Sequence, residues 1–158
     1  MDRALRRLAA VSLAAALAPA TWAGESVLQT WHPWQLDSLL VAWALRQAGT
    51  PAPQFESLPR GTPIPPERAI DTPDSPYRRT GQRTAFEEAV RRSGLAHPCV
   101  ARLREAVRVV ELASWRKPEF PLVEAFEARV LAAIPTQPMR GGIEAALGEI
   151  DRYCKEGL

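Results

Sequence analysis

Seven consecutive residues, Leu39-Leu40-Val41-Ala42-Trp43-Ala44-Leu45, carry no charged or amide side chain. Their leucine and alanine content, and the length of the segment 35–48 that contains them, favour a helix over a buried strand. A helix that is apolar on every side has no face to offer water, so the rest of the chain has to form a shell around it. With 46% hydrophobic and 24% charged residues among 158, the chain has enough apolar material for one such core and is not disordered.

The segment that follows cannot extend the helix. Residues 50–76 hold eight of the 15 prolines, and each proline removes a backbone donor. Short extended pieces at 54–58 and 68–71 are expected to pair with each other as a very small edge sheet. Helical periodicity then returns. Thr84 and Glu87 have the spacing of a capping box, Phe86, Ala89 and Val90 form an apolar face, and Gly94 closes this second helix. A third helix opens at Pro98 with Cys99, Leu103, Ala106 and Val110 on one stripe, and Arg102, Arg104, Glu105 and Arg108 on its wet side. A fourth is expected over 119–134, with Val123, Phe126, Val130 and Ile134 inward. The last is expected over 138–156, with Met139, Ile143, Leu147, Ile150 and Cys154 inward and Gly157 as its cap. The expected fold is mainly α, a compact bundle of about five helices with a Pro-rich irregular segment at 50–76 and room for a very small β element.

Residues 1–23 read as a cleaved export signal. Arg3, Arg6 and Arg7 precede an apolar run that Pro19 interrupts, and Ala20 and Ala23 offer small residues for cleavage, with Ala23 favoured. The run is shorter than the roughly 20 apolar residues that a membrane helix needs. Removal of three arginines and Asp2 leaves 17 basic and 17 acidic groups in a single domain, 24–158. That balance argues against nucleic acid as a partner, and the expected location is periplasmic or secreted, with no membrane association once the signal is removed.

Nucleophile elbows, His-Glu-x-x-His, Cys-x-x-Cys and Gly-rich phosphate loops do not occur, and two cysteines and two histidines are too few for a metal-rich centre. No metal and no cofactor is therefore expected. Cys99 and Cys154 stand at the first turn of one helix and the last turn of another, so antiparallel packing brings them together; they form either a disulfide or two separate buried thiols. Trp31-His32-Pro33-Trp34 is either a wedge that seats the chain on the bundle, with His32 an exposed linker residue, or an aromatic pocket with His32 as donor or ligand. Arg78, Arg79, Arg83, Arg91 and Arg92 concentrate positive charge near the start of the second helix, either for an anion or as a solvated face offset by Asp74, Glu87 and Glu88. Gly141-Gly142 reads as close packing or an irregular first turn rather than an anion nest. Asp37 in its apolar helix needs a charged partner if it is buried. Arg83 is the expected one, at a polar notch beside Trp43; the alternative is that Asp37 caps its own helix from the surface.

The order of the segments 36–46, 81–87, 94–98 and 103–111 and the Tyr153-Cys154 ending resembles the chromate resistance exported protein family, over most of the chain from Trp31 to Cys154. Within that pattern Asp37 and Trp43 match, Val41 and Ala42 stand where the family has Cys and Pro, Arg79 stands for a His, Thr84 for a Cys and Glu111 for an Asp, while Gly81 and Arg83 are kept. The resemblance implies a role in chromate or oxidative stress. Its metal-like and redox-like positions are mostly substituted here, so the implied function is non-enzymatic: binding of a small oxyanion or of a periplasmic protein partner. The candidate ligand-binding residues are Asp37, Trp43, Arg79, Arg83, Glu111 and His32. The competing expectation is a periplasmic redox or metal-dependent enzyme using Asp37, Glu111, His32 or a cysteine.

Overall fold

The structure, a computed structural model, describes residues 26–49 and 51–156. The expected export signal and Gly157 lie outside the described residues. The chain opens with strand β1 (Val27–Trp31), continues through helix α1 (Leu36–Ala48) and returns in strand β2 (Gln54–Leu58). The strands pair in parallel, from Val27 opposite Gln54 to Trp31 opposite Leu58. A parallel pair needs a crossover, and α1 is that crossover. The expected pairing of 54–58 with 68–71 is thus corrected. The partner of β2 is β1, a segment whose strand character is not evident from sequence. Residues 68–71 meet β1 through an isolated bridge from Ala69 to Gln29 and the Thr30 hydroxyl, which donates to the Ile70 carbonyl at 2.9 Å, but form no strand, because the prolines before them leave a 3-10 turn (Pro66–Arg68) and few free donors.

Helices α2 (Ala85–Ser93), α3 (Val100–Glu111), α4 (Pro121–Ala132) and α5 (Glu144–Lys155) enclose α1, so the fold is mainly α around a small two-stranded sheet. Every residue from Leu36 to Ala44 is buried. Trp43, fully buried, packs against Phe86 and meets the His97 ring edge-on, with centroids 5.1 Å apart. Its indole N–H donates to Asp151 Oδ1 at 2.7 Å. A large aromatic side chain so enclosed is worth about 3–5 kcal/mol against alanine. Among the described residues no helix is long and apolar enough to cross a membrane.

α2 follows its sequence signals: Thr84 and Glu87 form the reciprocal capping box and Gly94 ends the helix at φ 66°. Three helix starts are later than expected, the first being α3, which begins at Val100 with Pro98 and Cys99 in the turn before it. Residues 114–119 form a 3-10 turn (Ser114–Glu119) before Pro121 opens α4. α5 starts at Glu144 rather than 138, because the chain before it lies along β2. Ser57 N–H donates to the Met139 carbonyl, and Gly141 N–H donates to the Phe55 carbonyl at 2.7 Å. Met139 is consequently exposed and not part of the core stripe. Gly141 and Gly142, both at positive φ, turn the chain from that edge into α5. Cys99, at the start of α3, and Cys154, in the last turn of α5, form a disulfide with Cα atoms 5.4 Å apart.

Candidate functional site around Arg79

Asp37 is in the first turn of α1, yet it serves another helix. Its side chain is 0% exposed, and its two oxygens accept the backbone N–H groups of Ala85 and Phe86, each at 2.8 Å. These open α2, where the first N–H groups have no partner within the helix. Thr84 Oγ1 takes the next N–H, that of Glu87, while the Glu87 carboxylate takes the Thr84 N–H. The start of α2 is thereby satisfied by three side chains, one of them contributed by α1.

This corrects both expectations for Asp37: it neither meets Arg83 nor caps its own helix from the surface. Arg83 immediately precedes Thr84 with its side chain 56% exposed, and its guanidinium pairs with Glu88 at 3.3 Å. The cation beside Asp37 is Arg79. Its Nη2 is 2.7 Å from Glu111 Oε2, 3.5 Å from Asp37 Oδ2 and 4.0 Å from Asp71 Oδ2. One guanidinium therefore serves three largely buried carboxyl groups.

Such crowding has a definite electrostatic result. Burial pushes the Asp37 carboxyl upward against the pull of the Phe86 and Ala85 N–H groups and of Arg79. Burial also raises Glu111, with Arg79 opposing and Asp37 adding to the rise. Asp71 has the weakest support, and burial followed by the repulsion of Asp37 pushes it up to about 7. Its carboxyl takes up a proton near neutral pH. Its backbone is also unusual, at φ 48°, a left-handed conformation that Asp tolerates better than most residues.

Asp71 and Arg79 line a cavity of about 200 Å³ together with Thr30, Trp31, Pro33, Gln35, Ser38 and Arg60. Asp37 and Glu111 are not part of its lining and act on it through Arg79. The Arg60 side chain has no ion pair or hydrogen bond among the described residues. His32 lies between the two lining residues Trp31 and Pro33, partly buried, with Nδ1 lacking a hydrogen-bond partner. Among the described residues no group of three or more His, Cys, Asp or Glu side chains is disposed to hold a metal ion.

Of the residues singled out in the sequence, the structure gathers Asp37, Arg79 and Glu111. Trp43 is instead committed to the core and to Asp151, so the expected notch beside it does not form. Arg83 and Arg92 line a larger cleft, about 490 Å³, with Glu67, Asp74 and Arg78, whose guanidinium donates to the Pro73 carbonyl at 3.3 Å. There Glu88 already binds Arg83, Arg91 and Arg92, and the hydrogen bonds from Arg91 and then Arg92 hold its carboxyl down to about 2. Sequence reasoning missed Asp71 and Arg60. A lone acid directly after the apolar pair Ala69-Ile70 was a usable signal for Asp71; Arg60, in a turn, had none. In comparisons with known proteins, no family model, no curated protein and no solved structure matches the chain.

Proposed function

We propose that this chain is an exported, non-enzymatic protein, a divergent member of the chromate resistance exported protein family, that binds a small oxyanion between Arg60, Arg79 and Asp71 in a chromate or oxidative-stress setting. The observation that carries the reading is one polar pocket combining an uncommitted arginine, Arg60, with a carboxyl group held near pH 7, Asp71. With Asp71 protonated, the pocket loses a negative charge beside the guanidinium groups of Arg60 and Arg79, and Asp71 itself offers an O–H to an anion oxygen. With Asp71 ionised, one more negative charge faces the same ligand and opposes its binding. Asp37, which the family pattern keeps, and Glu111, which replaces its Asp, meet at the guanidinium of Arg79, which replaces its His.

The test is calorimetric titration of the protein with chromate, sulfate and phosphate at about pH 6 and about pH 8. Binding is expected to be tighter at the lower pH and weakened by Arg60→Ala, and the preferred anion identifies the ligand. Absence of binding by all three anions, or binding indifferent to Arg60, overturns the proposal. A second reading rests on the same carboxyl: an acid titrating near neutrality in a pocket is also suited to general acid–base catalysis. Its test is turnover that follows the ionisation of Asp71 and is lost in Asp71→Asn.

A further inference from the structure

Beyond Arg60 the chain runs Thr62-Pro63-Ile64-Pro65-Pro66-Glu67-Arg68, which holds the spacing Pro-x-x-Pro-x-Arg at Pro63, Pro66 and Arg68. Proline fixes φ at about −65°, and a residue before proline is pushed to extended backbone, so each residue from Thr62 to Pro65 is constrained by its own ring or by the next one. Pro65 accordingly stands at φ −57° and ψ 135°, polyproline geometry. Residues 62–65 belong to no helix or strand.

Both ends of this segment are tied down. The Trp31 indole N–H donates to the Thr62 carbonyl at 2.8 Å, and the Arg68 N–H donates to the Pro65 carbonyl at 2.9 Å, which brings Arg68 beside Pro65. Between these anchors the carbonyls of Pro63 and Ile64 accept no hydrogen bond among the described residues. Pro63, Pro65, Pro66 and Arg68 are exposed, whereas Ile64 is half-buried. A polyproline ridge has three residues per turn, so Pro63 and Pro65 form two edges and Ile64 the third. The edge turned to the fold is the one without proline. Arg68 has no ion pair among the described residues, and Glu67 beside it borders the cleft that Asp74 and Arg78 line.

We propose that residues 62–68 are a docking ridge for a partner protein that carries an aromatic-lined groove with a carboxylate at its end. Aromatic rings pack on exposed proline rings, and their indole or phenol donors reach the free carbonyls of Pro63 and Ile64. The carboxylate pairs with Arg68. The backbone is already set, so little ordering entropy is lost on docking. Other modes of recognition fit less well. An added strand needs backbone donors that Pro63, Pro65 and Pro66 lack, and a convex ridge offers no groove to a helix.

The probe is an isotope-labelled recombinant domain whose aromatic groove, flanked by acids, takes Pro-x-x-Pro-x-Arg peptides, followed by its amide shifts on titration with full chain up to about 500 µM. Shifts confined to the groove are expected. Affinity should fall about tenfold or more on Arg68→Glu, at a side chain the fold leaves exposed and unpaired, and on the double replacement Pro63→Ala with Pro66→Ala. Pro121→Ala, at the exposed start of α4, should leave it unchanged. A synthetic peptide of residues 61–69 is the reference, and the folded chain should bind at least as tightly. Absence of shifts at that concentration, binding indifferent to Arg68→Glu, equal loss on Pro121→Ala, or a peptide that binds more tightly than the folded chain overturns the proposal.

Discussion

Replacing Asp71 by Asn should stabilise the protein, and more so as the pH rises. The carboxyl titrates at about 7 in the fold against an ordinary value of 3.8. Between those values the folded state binds the proton that the unfolded chain has released, so native stability falls as pH climbs through that window. Above about pH 8 the full penalty is reached, on the order of 4 kcal/mol at 1.36 kcal/mol per unit; near pH 4 it is below about 1 kcal/mol. Asparagine has the same shape and tolerates φ 48°, so it removes the charge without adding backbone strain. Urea denaturation of both proteins across the range from about pH 4 to about pH 8 should therefore give curves that diverge as pH rises, with the variant the more stable. Coincident curves, or a variant destabilised at high pH, would refute the crowding of three carboxyl groups around one guanidinium.

Other substitutions separate the parts of the arrangement. Asp37→Ala leaves two N–H groups at the start of α2 without acceptors and Arg79 with one carboxylate fewer, and should cost about 3 kcal/mol or more by denaturant unfolding. Arg83→Ala removes only an exposed pair with Glu88 and should change stability by less than about 1 kcal/mol in the same assay. Replacing Cys99 and Cys154 together by serine opens a loop spanning 55 residues and should cost about 4 kcal/mol, read as a lowered midpoint that reductant no longer affects. Gly142→Ala puts a Cβ 2.9 Å from Met139 Sδ and from Pro135 Cγ at φ +76°, and should lower the melting temperature measurably.

Several of these features were legible in the sequence because the signal was local. An apolar run had to be buried, Thr84 and Glu87 had to cap, and cysteines on the inward stripes of two helices met at the helix ends. The need for a partner at Asp37 was legible too, but its identity was not. Backbone N–H groups at the start of another helix satisfy a carboxylate as well as a guanidinium does, and no residue type announces them. Choosing Arg79 over Arg83 likewise depends on where a loop rich in proline returns, and periodicity is silent about that. β1 escaped because its partner is distant in sequence and parallel, and 138–143 was misread because an apolar spacing that suits a helix also suits a segment laid along a strand edge.

Proton uptake on anion binding tests the central claim most directly. Calorimetry of oxyanion binding at about pH 8, in two buffers of different ionisation enthalpy, reports how many protons enter with the ligand. The account predicts uptake of about one proton by the native protein and none by Asp71→Asn, which binds with an affinity independent of pH on the protein side. Equal uptake by the two proteins, or none by either, would contradict the assignment of Asp71 and the pocket beside Arg79 as the binding site.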